Sequence, residues 1–181
     1  HDQVMAGAGR RRQHLAPAGK ADDLDCKPGF LIHLAIERLV QRFAELDPAA
    51  RRPGNLPAEA ASFVGRRREL AEVRKKLAET RLVSLVGPGG VGKTRLASRA
   101  AADLARGFRD GGWLVELAEV TDPGLVSHAV MAALDLRDQA AAGPLALLRD
   151  YLRDSDLLLV VDNCEHLAGP AGRLVADLMR T

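Results

Sequence analysis

The stretch LVSLVGPGGVGKTRLA, residues 82–97, constrains the fold of this chain more than any other part of it. An apolar, partly β-branched run precedes four glycines, and an alanine-rich run with helical spacing follows them. The glycine loop is therefore predicted to join a buried strand to the first turn of a helix. Within this stretch Gly87, Gly92, Lys93 and Thr94 match the pattern G-x-x-x-x-G-K-[ST].

Each residue type in this pattern suits the binding of a phosphate chain. Glycines let the backbone curl until several N–H groups point at one anion, and the helix N-terminus adds partial positive charge. Lys93 is expected to reach the β- and γ-phosphates of ATP, and the Thr94 hydroxyl is expected to ligate Mg²⁺. The predicted ATP- or ADP-binding residues of this stretch are Gly87, Pro88, Gly89, Gly90, Val91, Gly92, Lys93, Thr94 and Arg95.

Strands and helices alternate along residues 55–181, which predicts an α/β fold. Further strands are predicted over 112–120 and 156–163. Helices are predicted over 69–78, after Pro123, after Pro144 and over 170–179. This alternation is typical of a parallel sheet covered by helices, so we expect a three-layer P-loop NTPase domain.

The first 54 residues differ in character from the rest of the chain. Residues 1–29 lack hydrophobic periodicity, and we expect disorder there. The apolar residues from Phe30 to Leu46 fall on one helical face, which predicts a short helix, and a proline-rich linker follows up to residue 54. A domain boundary is therefore expected near residue 55.

A second set of candidate residues lies in and after the segment DLLLVVDN, residues 156–163. Asp162 ends a buried apolar run at the sheet edge where open α/β sheets bind ligands, so we expect it to hold Mg²⁺ opposite Thr94. Asn163 occupies a place where fast P-loop ATPases often keep a carboxylate, and an amide cannot accept a proton at neutral pH. Glu165 is an alternative base if its turn directs it towards the site. The candidate catalytic residues are Lys93, Asp162 and Glu165.

Composition and charge argue against several other classes of function. A net charge of +2 gives no reason to expect a nucleic-acid or membrane partner, and no apolar run reaches membrane-spanning length. Cys26 and Cys164 have no partners at metal spacing and suit a reducing compartment, so a cytoplasmic protein is expected. Cys164, His166 and Trp113 are interpreted as packing or capping residues.

Four segments occur in an order that resembles a known family: NLPAEAASFVGRRREL, LVSLVGPGGVGKTRLA, GGWLVELAEVTDPGLV and LLLVVDNCEHL. They resemble the NB-ARC-type ATPase module of STAND signalling ATPases, particularly that of bacterial LuxR-like and SARP-like transcriptional regulators. The resemblance implies that Phe63, Val64, Gly65 and Arg66 lie against the adenine. It also implies that ADP holds a closed state and that ATP permits homo-oligomerisation. Arg67 stands where the family commonly has an acidic residue.

The resemblance further implies that residues 55–181 are a partial NB-ARC-type domain, truncated from a longer regulator. In similar modules the next strand after that of Asp162 inserts into the middle of the sheet. Because the chain stops at Thr181, before that strand, we expect the sheet to lack its middle strand. DNA contact would need a domain that this chain does not contain.

The expected function is an ATP/ADP switch that uses Mg²⁺ and hydrolyses ATP slowly. Two alternatives stay open. One is a P-loop kinase for a small molecule. The other is a non-catalytic interaction module that docks a partner through residues 30–46.

Overall fold

The computed structural model describes residues 15–17, 31–38, 54–57, 65–137 and 143–180, the first two segments by their backbone alone. Its described residues contain one five-stranded sheet. The strands are β1 (Leu15–Pro17), β2 (Leu31–Arg38), β3 (Leu82–Val86), β4 (Gly112–Glu116) and β5 (Asp156–Asp162). The helices are α1 (Arg67–Glu79), α2 (Lys93–Leu104), α3 (Val126–Ala133), α4 (Pro144–Arg153) and α5 (Ala168–Leu178).

The strands lie in the order β1-β3-β2-β5-β4. β4 pairs in parallel with β5, whereas β2 pairs antiparallel with both β3 and β5, and β1 pairs antiparallel with β3. It follows that β3, β5 and β4 all run in one direction, while β1 and β2 run in the other. The sheet is therefore mixed rather than wholly parallel, and the carboxyl ends of β3, β5 and β4 lie at a common edge.

Helices cover both faces of β5. Its side chains alternate between two hydrophobic clusters, one on each face. Leu158 and Val160 pack with buried residues of α1 and α2, such as Val73 and Leu96. Leu157, Leu159 and Val161 belong to the cluster formed with α3, α4 and α5. A strand buried on both faces reads as a continuous apolar run, which explains the sequence DLLLVVD.

Residues that favour helix ends lie at the ends of several helices. Glu69 lies in the first turn of α1 and Lys76 in its last turn, where each charge is favourable to the helix dipole. The Asp122 carboxylate accepts a 2.8 Å hydrogen bond from the Gly124 N–H ahead of α3, and Pro144 opens α4.

None of the helices in these described ranges combines the length and apolar content that a membrane crossing requires.

The helix predicted from Phe30 to Leu46 is wrong over Leu31–Arg38, which forms strand β2. The apolar residues of LIHLAIER fit a period of two as well as a helical period, and a short apolar run does not distinguish them. Pairing decides the outcome here: Leu34 lies opposite Val83 of β3 and Val160 of β5. Disorder is likewise a wrong prediction for Leu15–Pro17, which pair with β3. The remaining residues of 1–30 and 39–46 lie outside the described ranges.

The expectation that the sheet lacks its middle strand is also wrong for this structure. β2 lies between β3 and β5, so the backbone groups that these two strands turn towards each other are paired. Unpaired backbone N–H and C=O groups are costly when buried, and a strand of either direction satisfies them. An N-terminal segment therefore completes the centre of the sheet in antiparallel orientation.

Candidate functional site

The loop between β3 and α2 takes a backbone course that needs glycine. Gly90 and Gly92 have φ angles of 74° and 79°, in the left-handed region that side chains with a Cβ rarely adopt. Gly92 is the N-cap of α2 and supplies no side-chain cap. Pro88, Gly89 and Gly90 are exposed. A bare, exposed loop is thus positioned at a helix N-terminus, the arrangement that favours an anion.

Lys93 is the first residue of α2, and its side chain is almost completely buried. The residue is 7% exposed, and Nζ donates to the carbonyl oxygens of Gly87 at 3.0 Å and Pro88 at 3.1 Å. Burial lowers the pKa of Lys93, and the negative charges of Glu165 and Asp162 partly oppose this. The ammonium group is therefore held inside the loop, near two carboxylates.

Asp162 ends β5 and is 1% exposed. Its Oδ1 accepts a 2.8 Å hydrogen bond from the Asn163 N–H, whereas the buried Oδ2 has no hydrogen-bond partner among the described residues. A buried carboxylate oxygen without a partner is costly and calls for an explanation such as a bound ion or water. The donor chemistry of Asp162 fits Mg²⁺, which prefers carboxylate oxygen and keeps much of its water.

Glu165 follows β5 and the loop follows β3, so both come after the carboxyl ends of strands that run in the same direction. Glu165 begins a short 3₁₀ turn, Glu165–Leu167. The charge of Glu165 raises the pKa of Lys93 more than the charge of Asp162 does. The turn that brings it there includes Asn163, whose φ is 53°. Asparagine tolerates this left-handed conformation better than most residues. The charges of Asp162 and Glu165 thus both act on the Lys93 ammonium group.

The remaining predicted loop residues stay close to the start of α2. Thr94 and Arg95 follow Lys93 in the first turn of α2, and both are exposed. Within the described ranges, no group of three or more histidine, cysteine, aspartate or glutamate residues is arranged to hold a metal ion. A Mg²⁺ ion at this site would therefore depend on the phosphate and water oxygens for most of its ligands.

Arg66 makes a contact that the sequence did not predict. Its Nη1 donates to the carbonyl oxygen of Gly92 at 3.1 Å, and its Nε lies 3.8 Å from Oε1 of Glu69. Gly65 precedes it with a φ of 89° and is exposed. Phe63 and Val64, the other two residues expected near the adenine, lie outside the described residues.

Asn55 is a second residue that sequence reasoning missed. Its backbone N–H donates to the Gly112 carbonyl at 3.1 Å, and its Nδ2 donates to the Leu114 carbonyl at 2.9 Å. Its Oδ1 accepts from the Leu114 N–H. The side chain thus imitates a strand partner of β4, next to the isolated β-bridge between Gly54 and Gly112. An open cavity of about 540 Å³ adjoins it, lined by Asn55, Pro57, Leu114, Glu116, Ala129, Ala132 and Ala133.

Cys164, His166 and Trp113 make packing and capping contacts of the kind that the sequence predicts. Cys164 is fully buried in the hydrophobic core. His166 shares a 2.7 Å hydrogen bond between Nε2 and the Val120 carbonyl oxygen. Trp113 packs against the core, and its Nε1 donates to the Asp110 carbonyl at 2.7 Å.

Comparison with known proteins links this site to a family. A family model described as Novel STAND NTPase 1 matches residues 56–173, which include the loop, Lys93, Asp162 and Glu165. No solved structure gives a significant match to the chain.

Several curated proteins are also similar to this chain. The uncharacterized protein Rv0894 of Mycobacterium tuberculosis is 42% identical over 120 residues, covering 66% of this chain and 30% of the relative. Rv0890c of the same organism, whose name describes an HTH-type transcriptional regulator, is 42% identical over 107 residues, covering 59% and 12%. The regulatory protein AfsR of Streptomyces coelicolor is 32% identical over 182 residues, covering 82% and 18%.

The chain therefore spans less than a third of the length of these relatives. The family match, in contrast, covers well over half of this chain and both parts of the candidate site. The chain belongs to the Novel STAND NTPase 1 family.

Proposed function

We propose that this chain is the ATP- and ADP-binding switch module of a transcriptional regulator, built as a three-layer P-loop NTPase of the NB-ARC type. One observation carries the proposal. Buried Lys93 donates to carbonyls of a glycine loop, and its pKa is raised by the charge of buried Asp162, one oxygen of which has no hydrogen-bond partner among the described residues. Such opposed charges suit a ligand that carries both anionic phosphate and a divalent cation.

Each charged residue has a distinct part in the proposed site. Lys93 would move its N–H donors from the carbonyls of Gly87 and Pro88 to oxygens of the β- and γ-phosphates. The backbone from Gly87 to Gly92 would surround the phosphate chain, with Thr94 and Asp162 holding Mg²⁺. When bound, Mg²⁺ supplies positive charge that stabilises the phosphates. Loss of the γ-phosphate would remove contacts from one nucleotide state only, which is what a two-state switch requires.

Slow hydrolysis is the second part of the proposal. Asn163 follows Asp162 in the position of a candidate base, and its amide cannot accept a proton from water at neutral pH. Among the residues that the structure describes, Glu165 is the second carboxylate whose charge raises the pKa of Lys93, which supports a place for it beside the phosphates. With so few groups to activate water, hydrolysis would be slow. The ATP-bound state would then last long enough to act as a signal.

The wider role is proposed from the relatives. Two of them carry names that describe regulators, and each is much longer than the matched part. DNA binding would therefore belong to other domains of the parent protein, and the nucleotide would govern its homo-oligomerisation in the cytoplasm. The interaction-module alternative loses support over Leu31–Arg38, because the helix on which it relied is a strand.

Nucleotide binding and single-turnover hydrolysis by the parent protein test this function. We expect ATP and ADP to bind, and ATP to be hydrolysed with a rate constant well below the usual enzyme range of roughly 1–10³ s⁻¹. Asn163→Asp supplies a carboxylate and is expected to accelerate hydrolysis, by at most about 10²–10⁴-fold. Glu165→Gln is expected to slow it if Glu165 is the base.

Two results would contradict the proposal. A wild-type rate constant of tens per second would exclude a switch that depends on slow hydrolysis. Rapid transfer of the γ-phosphate to a small acceptor would instead identify a kinase.

A further inference from the structure

Arg66 joins two parts of the molecule that are far apart in sequence. It is the N-cap residue of α1, and its Nε lies 3.8 Å from Oε1 of Glu69 in the first turn of that helix. The other end of the guanidinium reaches the glycine loop (residues 87–92, hereafter the phosphate loop), where Nη1 donates to the Gly92 carbonyl oxygen at 3.1 Å. The side chain thus spans from the start of α1 to the start of α2.

The carbonyl that Arg66 contacts occupies a sensitive place in the loop. Gly92 is the left-handed N-cap of α2, and its carbonyl also accepts the first hydrogen bond of the helix, from the Leu96 N–H at 3.0 Å. The same carbonyl belongs to the peptide unit whose nitrogen is that of Lys93. Holding this oxygen therefore fixes the plane of the peptide from which the buried lysine projects.

The space around Gly92 supports a specific fit. A Cβ added at Gly92 would lie 3.3 Å from Nη1 of Arg66, closer than most such contacts. Any residue other than glycine would displace the guanidinium as well as strain the backbone. The guanidinium therefore occupies this place because position 92 carries no Cβ.

We propose that Arg66 is a positioning residue for the phosphate loop, acting through the Gly92 carbonyl and not through the adenine base. This inference rests on the proposed nucleotide binding. A charged donor on the carbonyl orients the Gly92–Lys93 peptide and polarises it, which strengthens the N–H at its other end as a donor to phosphate. The contribution of Arg66 is then the same for every ligand that carries the phosphate chain.

Inorganic tripolyphosphate distinguishes the phosphate side from the base side, because it lacks a base. Calorimetry on the full chain would compare ATP and tripolyphosphate binding to wild type, Arg66→Ala and Arg66→Lys. We expect Arg66→Ala to weaken both ligands by the same factor, about tenfold or more, because one charge-assisted hydrogen bond is lost. Arg66→Lys keeps one donor and is expected to restore part of the affinity for both ligands.

Arg68→Ala is the matched control, since Arg68 is exposed in the same turn of α1 and its loss removes the same charge. We expect it to leave both affinities nearly unchanged. A loss confined to ATP in the Arg66 variants would overturn the inference in favour of a base contact. An equal loss in Arg68→Ala would overturn it in favour of a general charge effect.

If Arg66→Ala does not fold, Arg66→Lys and Arg66→Gln keep the inference testable by the same ratio of ATP to tripolyphosphate affinities. A wild-type protein that binds neither ligand contradicts the proposed function itself. That result is distinct from unequal losses in the variants.

Discussion

Lys93 and Asp162 are the two most buried charges of the candidate site, and their surroundings differ. The lysine, at 7% exposure, has two loop carbonyls as hydrogen-bond acceptors. The aspartate, at 1% exposure, keeps one oxygen without a partner in the described part of the chain. The loop half is therefore organised by its own backbone, whereas the β5 half calls for a donor or a cation from outside. The two halves of the site should therefore respond differently to substitution and to metal.

Lys93→Ala is expected to have the largest effect. It removes the buried cation of the loop, and we expect the affinity for ATP to fall at least about a hundredfold, with or without Mg²⁺. Isothermal calorimetry on the folded variant would measure this. Arg95→Ala is the control, because Arg95 is exposed two positions further along the same helix and should matter far less. Retained ATP affinity in Lys93→Ala would refute the site assignment.

Asp162→Asn is expected to have a smaller and more selective effect. It removes the buried charge whose Oδ2 has no hydrogen-bond partner within the described ranges, so the gain in ATP affinity that Mg²⁺ provides should fall about tenfold. Binding without Mg²⁺ should be equal or better, because a negative charge no longer repels the phosphates. Titrations with and without Mg²⁺ would measure both.

Asp156→Asn makes the same change at the opposite end of β5 and should leave the Mg²⁺ effect unchanged. Equal losses with and without Mg²⁺ in Asp162→Asn would mean that Asp162 does not serve the metal. The two halves of the site would then not differ as inferred from their contacts.

The pH dependence of binding is expected to be the most gradual effect. Burial lowers the pKa of Lys93 from its ordinary value of 10.5, and a bound phosphate would raise it again. Affinity should therefore fall as the pH rises through the lowered pKa, by at most about tenfold per pH unit, with uptake of a proton on binding. Calorimetry between pH 7 and 10, in two buffers of different ionisation enthalpy, would measure that uptake.

The lowered pKa of Lys93 affects the stability of the fold in the opposite direction: stability rises with pH, whereas the affinity for the nucleotide falls. Because the folded pKa lies below the unfolded one, the unfolded chain binds more protons between the two values. The contribution of Lys93 to the free energy of unfolding therefore rises with pH in that window. Binding without proton uptake at alkaline pH would mean that Lys93 does not meet the phosphates.

Much of the fold follows from the sequence because its signals are local. The run DLLLVVD is apolar throughout and is buried on both faces as β5. The glycine pattern at Gly90 and Gly92 places the loop and the start of α2 because only glycine takes those φ angles readily. The predicted helix over 69–78 lies within α1, and its signal is local too, because its buried residues recur at helical spacing.

What the sequence did not predict depends on distant partners. Residues 31–38 pair with β3 and β5, and no local pattern specifies which edges a short apolar segment will meet. The contact between Arg66 and Gly92 likewise joins residues 26 positions apart. The sequence does not determine the direction of Glu165, because that direction depends on the left-handed turn at Asn163, which the sequence permits but does not require.

The complete burial of Cys164 gives the protein an internal reporter. Its thiol lies in the core, in the turn between Asp162 and Glu165. A thiol reagent reacts only with an accessible thiolate, so labelling of Cys164 has to wait for that turn to open. With Cys26 replaced by serine, the labelling rate would measure how often the carboxylate side of the site comes apart. Any ligand that holds Asp162 and Glu165 in place would slow the labelling of Cys164.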